Sequence, residues 1–241
     1  MIVEALRSVG EINSLFAVQT TKDDEPASWR PATALCRADS PDVARLVAAV
    51  GDRLGAPERR VAASMVVLGY SARLVAPSVA LLVRAGVLLG VRPTEVWWRY
   101  SPGEGFRLCL PAPSGSSRPD AEAWETRAGR WRGEVIDGHL RPIIASVRAV
   151  APVAAGLLWG NVASSLAGAL RMLSLTGAAP LAACDAVGQA LLAQEPLRGA
   201  GELTALDGQL FFVRRSCCLY YRLPGGGWCG DCPLPRPSAP S

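Results

Sequence analysis

Four of the seven cysteines lie within sixteen consecutive residues, and this grouping constrains the fold more than any other feature of the chain. Cys217 and Cys218 are adjacent, and Cys229 and Cys232 follow after ten intervening residues. The first sixteen residues include Glu and Arg where a secretion signal would need an unbroken apolar core. In a chain of that kind, crowded thiols are better explained by a metal centre than by disulfides.

The spacing of the four cysteines bears on which metal centre they form. Four thiolates suit a structural zinc ion or an iron-sulfur cluster, and zinc usually takes two Cys-x2-4-Cys knuckles. Only Cys229 and Cys232 form a knuckle here. Cys217 and Cys218 project in opposite directions if their backbone is extended, so they meet a two-iron cluster more easily than one compact ion. The spacing favours a cluster, and zinc, a disulfide or an incidental grouping remain as alternatives.

The pattern Cys-Cys-x10-Cys-x2-Cys, with Arg-Arg-Ser before it and Gly-Gly-Gly inside it, resembles the FhuF family of ferric-siderophore reductases. Proteins of that family are cytoplasmic and carry a 2Fe-2S cluster. Residues 60–77 and 157–173 also resemble the helical body of the family, whereas the first forty residues match no family. The resemblance implies that Cys217, Cys218, Cys229 and Cys232 ligate a 2Fe-2S cluster. It further implies one-electron transfer to siderophore-bound iron, with no catalytic residue beyond the cluster.

The fold class follows from the distribution of prolines, glycines and apolar runs. Prolines at 41, 57, 77 and 180 each stand where a helix would begin, because the first turn tolerates a missing N–H. Apolar runs between residues 94 and 110 flank a glycine-containing loop, and Asp207-Gly208 separates two further runs, so two hairpins are predicted. We therefore predict an α+β fold with a predominantly helical body, short β-hairpins and a cysteine-rich iron-sulfur tail.

A chain of 241 residues, half of them apolar, can bury one substantial core. We predict a mainly helical body over residues 1–200 and a hairpin with the cluster-binding segment over residues 201–241. A polar connector at residues 111–119 is expected to join two lobes of the body. Between residues 120 and 150, Gly138 and Pro142 interrupt the helical pattern, so two helices meeting at an angle are predicted.

Several side chains near the cysteines are candidates for docking the substrate or an electron donor. Arg214, Arg215 and Arg222 place positive charge near the predicted redox site, which would raise its potential and attract an anionic iron chelate or an acidic donor. The alternative is the solvated face of a strand. Trp228 would stack against a chelator, or simply pack. The glycines at 225–227 would let backbone N–H groups approach the sulfurs.

Other residues limit the function classes. The basic residues behind the net charge of +4 are scattered among acids, and no helix-turn-helix is visible, so nucleic acid is not expected as a partner. His139 is the only histidine, which excludes a Rieske centre. No nicotinamide or nucleotide motif is present, so we expect an external electron donor such as a ferredoxin or a flavin reductase. Cys36, Cys109 and Cys184 are expected to be small core residues.

The apolar run at residues 149–170 is long enough to span a bilayer. Pro152, Asn161 and several small residues within it favour a helix buried in a soluble core. We therefore expect a cytoplasmic protein without an integral membrane span. Two other functions remain open: a zinc-stapled binding module, and an iron-sulfur sensor or regulator.

Overall fold

A computed structural model describes residues 2–22, 26–117 and 123–234. Two long helices form the centre of the body, α3 (Arg59–Ala85) and α6 (Ala155–Leu175). They pack against each other more extensively than any other two elements, and both carry buried residues on almost every side. A helix that is apolar on all sides is typical of the interior of a protein, so α3 and α6 are the framework on which the other elements are arranged.

Shorter helices surround this pair. They are α1 (Ile2–Gly10), α2 (Pro41–Leu54), α4 (Trp124–Trp131), α5 (Arg141–Val150) and α7 (Leu181–Leu192). A π-helical segment (Arg132–Leu140) joins α4 to α5. Single turns of 3-10 helix occupy Ser14–Phe16, Pro26–Ser28, Ala32–Leu35 and Tyr220–Arg222.

The strands form three small antiparallel sheets. Strand β1 (Arg30–Pro31) pairs with β3 (Trp97–Ser101), which pairs with β4 (Gly105–Cys109). Strand β2 (Val87–Leu89) pairs with β5 (Gly115–Ser117), and β6 (Gly201–Leu206) pairs with β7 (Gln209–Arg214). The predicted α+β class, with a predominantly helical body and short hairpins, is confirmed.

Three of the four predicted helix starts are found. Ser40 caps α2 through its hydroxyl, which accepts a hydrogen bond from the Asp42 N–H, and Pro180 stands immediately before α7. Helix α3 begins two residues after Pro57. The predicted start at Pro77 is wrong, because α3 runs through this residue without a break. Residues on both sides of Pro77 are buried in the core, so packing along α3 outweighs the lost backbone hydrogen bond.

The region before residue 150 also differs from its prediction. Two helices are found, α4 and α5, but the interruption between them is the π-helical segment rather than a break at Gly138 and Pro142. The π-helical segment absorbs the irregularity, since its wider turns accommodate an extra residue without ending the helix. The connector at residues 111–119 contributes β5 up to Ser117, and its last two residues lie outside the described part of the chain.

The C-terminal hairpin is formed as predicted. Asp207 and Gly208 have φ angles of 49° and 75°, which is the pair of left-handed residues that a type I′ turn requires. Along β7 the buried and exposed residues alternate, so Leu210, Phe212 and Arg214 face inward. Helix α6 packs against this inner face, and β7 is thereby fixed to the core.

One helix in the described ranges, α3, is long and apolar enough to cross a membrane by length and composition. Of the most apolar 18-residue stretch of α3, 72% is buried inside the structure, as expected of a core helix. The apolar run at residues 149–170 is not one helix. It comprises the last two residues of α5, a loop at residues 151–154 and the first sixteen residues of the buried helix α6.

His139 lies in the π-helical segment and is fully buried. The carbonyl of Val91 can only accept a hydrogen bond, so the proton of the neutral ring is on Nδ1, which donates to it. Nε2 then accepts from the Tyr70 hydroxyl at 2.8 Å. Burial lowers the pKa of His139 to about 4, although its hydrogen bond to Val91 acts in the opposite direction.

This depressed pKa predicts a pH-dependent stability. At a pH between the unfolded pKa of about 6.5 and the lower folded pKa, His139 is protonated in the unfolded chain but neutral in the folded protein. The free energy of unfolding should therefore fall by about 2 kcal/mol from pH 7 to pH 5 on account of this group. His139→Gln should flatten that part of the pH profile, as measured by urea denaturation at both pH values. Equal slopes in the two proteins would show that the imidazole is not buried in its neutral form.

Candidate metal centre

Strand β7 delivers the chain to the four cysteines but does not contain any of them. It ends at Arg214, and Cys217 and Cys218 follow on an irregular segment. The two adjacent cysteines therefore lie outside the strand. The segment is fixed instead by hydrogen bonds to the helical body. The Ser64 hydroxyl on α3 donates to the Cys218 carbonyl at 2.7 Å, and the Ser216 hydroxyl donates to the Gly156 carbonyl at 3.3 Å.

The second pair of cysteines returns to the end of β7. The Cys232 N–H donates to the Cys229 carbonyl at 3.2 Å, which closes the turn between these two residues. The Arg214 N–H donates to the Asp231 carbonyl at 3.1 Å and so ties that turn to the strand. The turn with Cys229 and Cys232 therefore lies beside the end of β7. Cys217 and Cys218 follow directly from the same strand end, so the two pairs of cysteines meet at one site.

A chain of buried hydrogen bonds connects this site to the core. The guanidinium of Arg214 donates to Asn161 Oδ1 at 2.6 Å and to the Ser216 carbonyl at 2.6 Å. The Asn161 amide in turn donates to the carbonyl and the hydroxyl of Ser64, at 2.8 and 2.9 Å. Because the Ser64 hydroxyl donates to Cys218, the strand, α6, α3 and the cysteine segment share one network. Asn161 is therefore a fully buried hydrogen-bonding anchor within α6.

Arg214 is only 1% exposed, so a role in docking an external partner does not agree with its position. Within the described residues its guanidinium forms no ion pair within 4 Å, and all its hydrogen-bond acceptors are uncharged oxygens. A buried cation without a close ion pair is costly. The Asp231 carboxyl lies near Arg214, since burial raises its pKa and the positive charge of Arg214 acts in the opposite direction. A cluster ligated by four thiolates carries net negative charge, and such a group beside Arg214 would add to the compensation of its charge.

The environment of the thiols also fits a cationic metal centre. Burial raises the pKa of Cys217, and the nearby thiols of Cys218 and Cys232 raise it further, while the Leu219 N–H lowers it. Burial raises the pKa of Cys229 to about 12, with further increases from its contact with Cys218 and from Cys232. Four mutually repelling thiolates are stabilised by bound iron, which replaces their protons.

In the described ranges, no group of three or more His, Cys, Asp and Glu side chains is close enough to hold a single metal ion. A tetrahedral zinc site would need its four sulfurs around one point. A 2Fe-2S cluster takes two ligands at each of two irons. The donor set of four cysteine sulfurs fits this group by its chemistry, since thiolates are the ligands that such clusters bind.

The other predicted docking residues lie on the outside of the site. Arg215 is exposed, and Trp228 is 44% exposed. Arg222 forms an ion pair with Glu58, which stands at the start of α3, so this arginine also fixes the cysteine segment to the body. Cys109 and Cys184 are buried and Cys36 is half-buried, in agreement with their predicted role as small core residues.

The glycine loop plays a different part from the one predicted. A side chain at Gly226 would lie 2.2 Å from the Tyr220 carbonyl oxygen, so this glycine permits close packing of the loop backbone. The Leu219 N–H donates to Cys217 Sγ at 3.3 Å, and the backbone of Asp231 hydrogen-bonds to the Cys229 thiol. Leu219 has a φ of 69°, which is rare for a branched residue and aims its N–H at the thiol. Neither Leu219 nor Ser64 was identified from the sequence.

Helix α6 supplies a matched pair of glycines that tests the packing at this site. A Cβ at Gly160 would lie 2.5 Å from Ser216 Oγ and 3.0 Å from the Arg214 guanidinium, whereas one at Gly168 meets nothing within 4 Å. Gly160→Ala should therefore destabilise the protein by about 1–3 kcal/mol and reduce the iron content. Gly168→Ala should be neutral or stabilise by up to about 1 kcal/mol, because alanine favours a helix. Thermal denaturation and iron analysis of both variants measure this, and equal behaviour of the two would contradict the close packing.

Comparison with known protein families gives two matches. Residues 214–234 match the family described as FhuF 2Fe-2S C-terminal domain, and they begin at Arg214 and include all four cysteines. Residues 64–207 match the family described as ferric iron reductase FhuF-like transporter, and this match alone covers more than half of the chain. No individual curated protein matches the chain. The C-terminal match identifies the cofactor as a 2Fe-2S cluster, and the protein belongs to the FhuF family of ferric iron reductase-like proteins.

Proposed function

We propose that the protein is a ferric-siderophore reductase that passes one electron to chelated Fe(III) and releases Fe(II) in the cytoplasm. The observation that carries this proposal is the gathering of four cysteines at one partly exposed site inside the match to a 2Fe-2S domain. A siderophore holds Fe(III) more tightly than Fe(II), because its hard oxygen ligands prefer the more highly charged ion. Adding one electron is therefore enough to weaken its hold on the metal.

The ligands in this proposal are Cys217, Cys218, Cys229 and Cys232. When bound there, a 2Fe-2S cluster stores and releases one electron. The role of the protein is to hold and surround it. Cys218 is 2% exposed and lies against the body, while the other three cysteines are half-buried. The site thus has an inner side closed by the core and an outer side that a substrate can approach.

The electron-transfer step requires no proton-transfer residue, since an electron moves without a bond being made or broken. When Fe(II) then leaves, its Fe–O bonds break and the freed chelator oxygens take protons from water. Arg214 places a fixed positive charge behind the site, and the Leu219 N–H adds a hydrogen bond to Cys217. Both favour the more negative, reduced state and so raise the reduction potential. The electron itself is supplied in this proposal by a separate carrier such as a ferredoxin or a flavin reductase.

Removing single cysteines tests the ligand set. Replacing any of Cys217, Cys218, Cys229 or Cys232 by alanine should abolish the red-brown colour and lower bound iron and acid-labile sulfide severalfold, because each iron would lose a ligand. Cys184→Ala is the matched control, since this thiol is buried in the core. It should keep its colour and its iron content. Full iron and sulfide in any of the four variants would remove that cysteine from the ligand set.

Anaerobic titration tests the activity. The purified protein is reduced, and a ferric siderophore is added while the visible spectrum is followed. One equivalent of Fe(III) should reoxidise one equivalent of protein, because the cluster gives up one electron, and a ferrous-specific chelator should trap an equal amount of Fe(II).

The gallium(III) complex of the same siderophore is the control, since gallium is not reduced and should leave the spectrum unchanged. Unchanged spectra with several ferric siderophores would contradict the reductase. Stoichiometric zinc without acid-labile sulfide in anaerobically prepared protein would contradict the redox function altogether.

A further inference from the structure

A cleft of about 230 Å³ opens beside the cysteine site. It lies between the start of α6, the turn that precedes β6, and the two residues that follow β7. The side chains of Arg198, Arg215, Trp159 and Ser216 line it. We call it the arginine cleft, because Arg198 and Arg215 are the charged residues that line it in the described part of the chain.

The charge of the arginine cleft distinguishes it from three other clefts of similar size. Each of these contains a carboxylate beside its arginines: Glu134 with Arg92, Asp42 with Arg30, and Glu104 with Arg107. Among the described residues, no carboxylate lines the arginine cleft. Arg215 forms no ion pair within the described ranges, and Arg198 approaches Glu195 only at 3.7 Å, with both side chains more than 60% exposed. Such an exposed pair is weak. The Arg198 Nε also donates to the Ala193 carbonyl at 3.0 Å, which leaves the terminal N–H groups of Arg198 for an anion.

The position of the cleft connects it to the redox site. Ser216 lines the cleft, and the next residue is Cys217. Adjacent Cα atoms are about 3.8 Å apart, so anything bound in the cleft lies next to the cysteine segment. The position of Arg215 is set by its backbone, whose N–H donates to the Ala200 carbonyl at 2.8 Å. The cleft is therefore attached to the same strand end that organises the four cysteines.

We propose that the arginine cleft binds the anionic oxygen donors of a ferric chelate, of carboxylate or catecholate type, and so selects negatively charged chelates over neutral ones. This inference rests on the proposed function. Two guanidinium groups recognise paired oxygens through charge-assisted hydrogen bonds. Trp159 supplies an aromatic wall beside them.

The size of the cleft limits how much of a chelate it holds. Pockets that enclose a whole small molecule usually measure about 300–1,000 Å³. The arginine cleft is smaller, so it receives one arm of a chelate while the iron stays at its mouth, on the side of the cysteine segment. Binding is then selective for the charge of the arm rather than for the complete outline of the ligand.

Gallium(III) complexes separate binding from reduction, since they keep the shape and charge of ferric chelates but accept no electron. Binding of a trianionic gallium tricatecholate and of a neutral gallium trihydroxamate to the holoprotein is measured by calorimetry. The tricatecholate should bind more tightly, and Arg215→Gln or Arg198→Gln should each weaken it about tenfold. Neither change should affect the trihydroxamate. Arg84→Gln is the matched control, because it removes an exposed arginine at the far end of α3.

Added salt should weaken binding of the tricatecholate in the unmodified protein more than in Arg215→Gln. Equal affinities for the two complexes, or equal effects of Arg215→Gln and Arg84→Gln, would contradict the proposed role of the arginine cleft. If ferric chelates still reoxidised the reduced protein in that case, the proposed reductase function would be supported without the cleft. Conversely, arginine-dependent gallium binding together with no reoxidation by the ferric tricatecholate would support the cleft and contradict the reductase.

Discussion

The hydrogen bonds of the buried Arg214 guanidinium are the interaction on which the redox site depends. Removing a guanidinium from water costs several kcal/mol, and neutral oxygens offset only part of that cost. Asn161 is held for this purpose by Ser64, and Ser64 also binds the Cys218 carbonyl. The two longest core helices thereby set the position of the cysteine segment. At the proposed site, an anionic cluster would add negative charge near Arg214, and cluster binding would then be coupled to folding of the segment.

Much of the C-terminal structure could be predicted, because its signals are local. Asp207-Gly208 specifies a type I′ turn, and the cysteine spacing points to a two-iron group. The inward position of Arg214 could also be predicted from the sequence. Successive side chains of a strand point to opposite faces, so Arg214 lies on the same face as Leu210 and Phe212. The apolar partners on that face identify it as the buried one, and the arginine was nevertheless assigned to the surface.

The contact between Ser64 and Cys218 had no signal of this kind, because the two residues are 154 positions apart and a serine in a helix is unremarkable by itself. The predicted helix start at Pro77 was wrong for a related reason. A proline is a strong local indicator of a helix start, but Val75, Ala76 and Val79 around it are completely buried. Burial of the whole helix decides its length, and the local preference yields to tertiary packing.

The arginines behind the cysteine site and those in front of it have opposite effects on electron transfer. In the proposed mechanism, Arg214 stabilises the reduced cluster, which makes the cluster a weaker reductant towards the chelate. The chelate becomes more negative by one charge when it accepts the electron, so Arg198 and Arg215 stabilise the product of that step more than its substrate. The driving force that is lost because Arg214 stabilises the reduced cluster is then offset by the stabilisation of the reduced chelate by Arg198 and Arg215. For a neutral chelate held without close contact to these arginines, the second effect is smaller, and the transfer is less favourable even when binding occurs. The charge of the cleft therefore acts on both affinity and driving force, and selectivity for anionic chelates should be larger in the electron-transfer step than in binding alone.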